Sequence, residues 1–216
     1  MDTARKALLL VIAGIGAPAM ALQLWLNLTR NLDHSLLWRL IDFFSYFTNT
    51  TGILVTAVAI VALVRPTSKL AQPGAITAAA IYMLVVCVTY ETLLRAELHG
   101  LAFFTSLALH EVMPALVALL WLVFTPKAGL RWREPLGWTV YPAFYIAWIL
   151  ARGAVIHRYP YFFADVDKLG YPRALTTAAW FLASFYVLGL AAVACGRLRL
   201  QMFRFRFPSE RTKSEA

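Results

Sequence analysis

Six runs of mostly apolar residues, each about the length of a bilayer crossing, recur along this chain: Ala7–Leu28, Ile41–Val64, Ala75–Leu94, Leu101–Phe124, Leu136–Ile156 and Ala174–Cys195. Lipid offers a backbone no hydrogen-bond partner, so a run that crosses it alone must be helical. The links between runs are short, which favours antiparallel neighbours. The expected fold is all-α, a six-transmembrane-helix bundle over residues 1–196 with a basic tail over 197–216. Charged residues supply 14% of the chain, where a soluble domain carries about a quarter.

The first run follows Arg5 and Lys6 and contains Ala-Met-Ala at 19–21, as a secretory signal does. Its apolar stretch continues to Leu28, so an uncleaved first helix is the preferred reading. Six crossings put both termini on one side. The basic residues of the N-terminus, loop 2–3, loop 4–5 and the tail number thirteen, against seven on the opposite side. The positive-inside rule then makes both termini cytoplasmic. The net charge of +9 therefore reads as a topology signal, not as a nucleic-acid surface. The tail sequence RLRLQMFRFRF alternates basic and apolar residues, which suits a contact with anionic lipid. No internal repeat is evident.

The second run is the unusual one. On one continuous helix, Asp42, Ser45, Thr48, Asn49, Gly52 and Thr56 fall within about 120° of each other at 100° per residue. Thr50 points the opposite way and Thr51 to one side. A polar stripe on a membrane helix must face protein or water. Thr48 lies roughly 10 Å deep from the outer face, and His110 on the fourth run roughly 14 Å, at 1.5 Å per residue. Glu91 and Arg95 stand near the outer end of the third run. Tyr141, Tyr145, Trp148 and Arg152 share a face of the fifth. The outer half thus collects Asp42, Ser45, Thr48, Asn49, Glu91, His110, Glu111 and Arg152, while the inner half holds almost nothing ionisable.

Each residue has a plain structural reading beside a functional one. A threonine in a membrane helix commonly bonds its own i−4 carbonyl. Glu91 and Arg95 make an i,i+4 pair, and Asp42 meets a helix N-terminal dipole. His110 fixes packing, and Pro114 kinks its helix. The two cysteines, Cys87 and Cys195, read as buried apolar residues. Against this, an intramembrane ionisable group is by default a functional-site candidate. A hydroxyl and an imidazole at matched depth suggest a nucleophile and its base, with Asn49 or a backbone N–H as oxyanion donor. One histidine with scattered acids is too few ligands for zinc, so no metal and no cofactor is expected.

Tyr46–Thr48 (YFT), Leu109–Pro114 (LHEVMP), and YIAWILARG followed by HRYPYFFADVDKLG together resemble the androgen-induced family of multi-pass membrane proteins, in particular its bacterial six-helix relatives. Vertebrate members of that family are intramembrane threonine hydrolases of fatty acid esters of hydroxy fatty acids. The resemblance implies Thr48 as nucleophile and His110, one turn before Pro114, as the essential histidine. It matches the family's Tyr-Pro to Tyr159 and Pro160, and implies a membrane lipid as substrate and a bacterial plasma (inner) membrane as location. It spans most of the chain through short motifs. Two positions depart from the vertebrate pattern: Ser45 stands where those members have lysine, and His110 is single where they have paired histidines.

The reading from sequence is an intramembrane lipid-ester hydrolase, with Thr48 and His110 catalytic and Ser45, Asn49, Glu91, Glu111, Arg152 and Tyr159 supporting. Two other classes compete. One is a small transporter using His110, Glu111 and Glu91 as a proton relay. The other is a membrane scaffold whose polar residues only hold helices together.

Overall fold

A computed structural model describes residues 2–30 and 32–206, with side chains through Leu198. The chain is all-helical over the described residues, with six helical segments long and apolar enough to cross a membrane. That is consistent with an integral multi-pass membrane protein. The six are Thr3–Thr29, Phe47–Val64, Pro73–Leu94, Leu101–Phe124, Glu134–Ile156 and Val166–Leu198.

The first segment is one helix, α1 (Thr3–Thr29). The second apolar run, Ile41–Val64, is not the continuous helix the sequence suggests. It is shared between α2 (Leu36–Phe44) and α3 (Phe47–Val64), with the break at Ser45 and Tyr46. The broken backbone is satisfied by side chains. Tyr145 donates to the Ser45 carbonyl at 2.7 Å, Asn49 Nδ2 to the Phe43 carbonyl at 2.9 Å, and the Phe47 amide donates to Tyr161 Oη at 3.0 Å. Lipid would supply none of these partners, which is why a break at this depth has to sit inside the bundle. Asp42 and Ser45 therefore belong to a different helix from Thr48, and the single stripe predicted from Asp42 to Thr56 does not exist as one helical face.

The third segment is α4 (Pro73–Thr89) ending in a π turn, Tyr90–Leu94. The fourth is α5 (Leu101–Leu107), a π turn at Ala108–Val112, α6 (Met113–Leu119) and a closing π turn, Leu120–Phe124. A simple proline kink was the expectation here. In a regular helix the Pro114 ring would crowd the His110 carbonyl and leave it without an N–H donor. The wider turn at Ala108–Val112 takes up the misfit instead, with the Met113 amide bonding back to the Ala108 carbonyl. The fifth segment is a short α7 (Glu134–Trp138) and α8 (Val140–Ile156). The last is α9 (Val166–Arg206), broken at Gly170, whose φ of 73° is left-handed. The helix passes Cys195 without a break, so residues 197–206 continue it. Residues 207–216, and the tail's basic side chains beyond Leu198, lie outside the described residues.

Small residues let α1 and α3 cross closely. A Cβ added at Gly16 would stand 2.3 Å from Thr56 Oγ1. Leu9, Ile12, Val55, Ala59, Met83, Met113 and Val117 form an apolar core among α1, α3, α4 and α6. Beside it, a cluster with Phe47, Tyr82 and Phe185 packs with Tyr141, Tyr145 and Tyr161 among α3, α4, α8, α9 and the loop after α8. The loop after α8 folds back on this cluster. Tyr161 stacks on Phe163 and Phe163 on Phe181, at centroid distances of 5.0 and 5.1 Å.

Candidate functional site

Thr48 is the second residue of α3, and His110 is the middle of the π turn in the fourth segment. Their side chains meet, with Thr48 Oγ1 3.2 Å from His110 Nε2. The other ring nitrogen, Nδ1, lies 3.0 Å from the Ser106 carbonyl. A carbonyl only accepts, so Nδ1 carries the proton and Nε2 presents a lone pair to the Thr48 hydroxyl. The imidazole is fixed further by stacking on Tyr90, 3.9 Å between centroids and 15° between planes. Ser106 Oγ in turn donates to Tyr90 Oη at 2.8 Å. A hydroxyl, an imidazole and a carbonyl that orients the imidazole are thus in contact, the arrangement that an activated hydroxyl nucleophile requires.

The hydroxyls of α3 are used differently. Thr56 bonds the Gly52 carbonyl at 2.7 Å, and Thr50 bonds the Phe47 carbonyl at 3.1 Å. Thr51 meets Tyr141 at 3.0 Å, and Tyr141 also donates to Thr50 at 2.8 Å. Thr50 thus faces protein, against the expectation that it points away. Thr48 is the α3 threonine whose hydroxyl meets an imidazole.

Two cavities adjoin at this pair. One, of about 380 Å³, is a polar cleft bordered by Gln23, Asn27, Arg30, Asp42, Asn49, Ser106 and Arg158. The other, of about 70 Å³, is an apolar crevice between α4, α8 and α9, bordered by Val85, Val86, Ile146, Leu150, Phe181 and Phe185. Thr48, Tyr90, Leu94, His110 and Tyr161 line both. A water needs on the order of 10–15 Å³ by this measure, so the cleft has room for many and the crevice for few.

Tyr161 is the residue that sequence reasoning passed over. Its phenol takes the Phe47 amide at 3.0 Å and interacts with the Thr48 hydroxyl. Desolvation by burial raises it to about 12, so it remains a protonated donor at neutral pH. Tyr159, chosen from the sequence, lies elsewhere. Its ring packs on α8, where a Cβ on Gly153 would come within 1.9 Å of it. The signal was close by, in a loop with an aromatic at alternate positions 159, 161 and 163, but only the packing separates them. Tyr90 had no signal at all, whereas Ser106 stands at i−4 from His110 on the same helix.

The backbone adds a second donor. Four amides at a helix start lack intrahelical acceptors. On α3 the Phe47 amide goes to Tyr161, and those of Asn49 and Thr50 to the Tyr46 carbonyl at 3.1 and 3.3 Å. The Thr48 amide has no acceptor among the described residues.

The remaining predicted residues act at one remove. Ser45 bonds the Ile41 carbonyl at 2.7 Å and sits in the helix break. Asn49 borders the cleft, and its Nδ2 holds the Phe43 carbonyl at 2.9 Å, so it also supports the break. Arg152 pairs with Asp42 at 3.2 Å, both buried. Glu91 pairs with Arg95 at i,i+4. Neither Glu91 nor Glu111 lines either of these two cavities. Of the fifth segment's face, Tyr141, Tyr145 and Arg152 turn inward and Trp148 is exposed. Among the described residues no three His, Cys, Asp or Glu side chains gather as a metal site would require.

Set beside family models, curated proteins and solved structures, the chain matches none of them.

Proposed function

We infer that this protein is an intramembrane hydrolase of lipid esters, with Thr48 as nucleophile and His110 as general base. The observation that carries the reading is the Thr48–His110 contact at the junction of a polar cleft and an apolar crevice. The acyl chain lies toward the apolar crevice, and water reaches the same carbon from the polar cleft.

The chemistry follows from the atoms present. Thr48 Oγ1 attacks the ester carbonyl carbon as His110 Nε2 takes its proton. The tetrahedral oxyanion is met by the Tyr161 O–H and the Thr48 amide, in the manner of an oxyanion hole. Collapse expels the alcohol, which takes the proton from His110. Water then enters from the cleft, loses a proton to Nε2 and attacks the acyl-threonine. The fatty acid leaves and Thr48 recovers its proton. Nδ1 stays on the Ser106 carbonyl throughout, which keeps the ring in the productive tautomer.

The test is labelling of the purified protein in detergent with a long-chain alkyl fluorophosphonate. Wild type is expected to be labelled at Thr48, and Thr48→Val and His110→Ala are expected not to be, with unchanged thermal unfolding. Labelling that survives in Thr48→Val would overturn the assignment of the nucleophile. Folded wild type that neither reacts with the probe nor releases fatty acid from esters would return the protein to the transporter and scaffold classes. The topology with both termini cytoplasmic, the bacterial inner membrane, and the anionic-lipid contact of the tail belong to the same proposal. A reporter fused after Ala216 that reads as external would reverse the first of these.

A further inference from the structure

The cleft beside Thr48 and His110 carries hydrogen-bonding atoms that the protein itself leaves open. Asn49 follows Thr48 in the chain, is 3% exposed and lines the cleft. Its Nδ2 sits on the Phe43 carbonyl at 2.9 Å. A carbonyl only accepts, so the amide's orientation is fixed and Oδ1 is the atom left over. Oδ1 has no donor among the described residues. A buried amide oxygen is costly until a donor meets it.

Gln23 lines the same cleft from α1. Gly16, Met20, Gln23 and Asn27 recur at helical spacing and make one face of that helix. The face meets the second apolar run on both sides of Gln23. Gly16 lies against Thr56 and Met20 against Gly52, and beyond Gln23 the Asn27 Nδ2 donates to Asp42 Oδ2 at 3.3 Å. One turn past the Met20–Gly52 contact, this antiparallel pairing brings Gln23 level with Asn49. The Gln23 amide bonds no described residue. The charged groups of the cleft are placed differently. Asp42 has both oxygens taken, by Arg152 and Asn27, and Arg30 and Arg158 are exposed.

We propose that the alcohol portion of the ester carries a free, uncharged hydroxyl, which donates to Asn49 Oδ1 and accepts from Gln23 Nε2. The substrate class is then a partial ester of a diol or polyol. This rests on the hydrolase reading of Thr48. Asn49 Oδ1 selects the hydroxyl, because an acceptor of fixed orientation attracts an O–H and repels the lone pairs of an ether or a carboxylate. A site that hydrogen-bonds a substrate hydroxyl discriminates against the analogue that lacks it, whose binding leaves the site's buried polar groups unpaired. Asn49 adjoins Thr48 in the chain, so a hydroxyl held there keeps the alcohol portion beside Oγ1.

The experiment compares four oleate esters in neutral detergent micelles: 2-hydroxyethyl, 2-methoxyethyl, propyl and carboxymethyl. Wild type is expected to favour the 2-hydroxyethyl ester over the propyl ester, which has the same number of heavy atoms, by about tenfold in kcat/KM, the effect of 1.4 kcal/mol of extra recognition. The 2-methoxyethyl ester is expected to fall with the propyl ester, since it accepts a hydrogen bond but has none to give. Gln23→Met keeps the length of the side chain and removes its amide, and is expected to cut the hydroxyethyl-to-propyl ratio to about threefold, half of that free energy. A wild-type ratio near one, a methoxyethyl ester as good as the hydroxyethyl, or a ratio untouched in Gln23→Met overturns the proposal while leaving the hydrolase reading intact. So does a preference for the carboxymethyl ester, which would give the cleft to anions. The methoxyethyl comparison uses wild type alone and decides the matter even where Gln23→Met fails to fold. Equilibrium binding to Thr48→Val separates the two ideas from the other side. Preferential binding of the 2-hydroxyethyl ester there, with no cleavage of any ester by wild type, would sink the hydrolase reading and leave the hydroxyl subsite standing. Equal binding of the hydroxyethyl and propyl esters would sink the subsite.

Discussion

Asp42–Arg152 and Thr48–His110 each join distant parts of the chain through a polar contact of 3.2 Å. The first pair is closed. Asp42 Oδ1 takes Arg152, Oδ2 takes Asn27, and Arg152 Nη1 goes on to the Arg158 carbonyl. The second is open. His110 Nδ1 is spoken for, but Oγ1 and Nε2 border two cavities. Burying a charge or a polar group is costly unless its bonds are completed. Asp42 also borders the cleft and Arg152 Nε has no partner among the described residues, but both Asp42 oxygens are taken, so this pair holds helices together. Thr48 Oγ1 and His110 Nε2, by contrast, meet each other beside open space and are arranged for an incoming partner. Position in sequence does not separate the two pairs, since all four residues are polar groups in the same half of the bundle.

The sharpest way to break this distinction is to remove the hydroxyl alone. Thr48→Val keeps the shape of the side chain and deletes the hydroxyl proposed as nucleophile. Ester hydrolysis is expected to fall at least about a thousandfold, as when one member of a catalytic set is lost. The melting temperature should stay put, because the pair's bond is not what holds the fold. Melting that drops along with activity would make Thr48–His110 a second structural pair.

The reverse pattern is expected at the closed pair. Arg152→Met strands Asp42 as a buried charge and is expected to cost about 3–5 kcal/mol of stability. Adding Asp42→Leu should recover most of that loss, since exchanging a whole buried pair for apolar residues is often neutral or better. Denaturant titration in detergent reads both. Full stability in Arg152→Met would mean that the pair contributes nothing to the bundle.

How far the sequence carried this picture depends on the range of the interactions involved. The apolar spans follow from composition over twenty residues, so their existence was legible; their ends shifted by local events. The depths of Thr48 and His110 follow from counting along helices, and the structure brings the two side chains into contact. The break at Ser45 was not legible, because its backbone is completed by Tyr145 and Tyr161, one hundred or more residues away. The same holds for the choice between Tyr159 and Tyr161. Both are tyrosines in one loop, and only the pocket at Gly153 draws the first aside. The bond from Asn49 to the Phe43 carbonyl was not legible either, because it depends on the same broken turn.

Tyr161 tests whether the open pair has an open partner. Tyr161→Phe removes the hydroxyl beside Thr48 and leaves the ring in its stack. If that phenol serves the transition state, kcat is expected to drop by about 10²–10³ with KM nearly unchanged. A rise in KM at constant kcat would instead make Tyr161 a binding residue. The Phe47 amide loses its acceptor in this variant, a cost of about 1–3 kcal/mol for a buried group left unpaired. A stability measurement on the same sample separates that loss from the kinetic one.

Thr50 and Thr51 should give the smallest single effects. Tyr141 Oη reaches both, donating to Thr50 at 2.8 Å and lying 3.0 Å from Thr51. Thr51→Val leaves Tyr141 its bond to Thr50, and Thr50→Ala leaves it Thr51, so each is expected to cost no more than about 1 kcal/mol. Hydrolysis should be unchanged in both, since neither residue lines the cleft or the crevice. The double variant is different. It strands a tyrosine hydroxyl among Phe47, Tyr82 and Phe185, and its cost is expected to exceed the sum of the two singles. Additive costs would show that Tyr141 finds another acceptor. A loss of hydrolysis in either single variant would extend the open pair along α3 and undo the contrast with its closed neighbour.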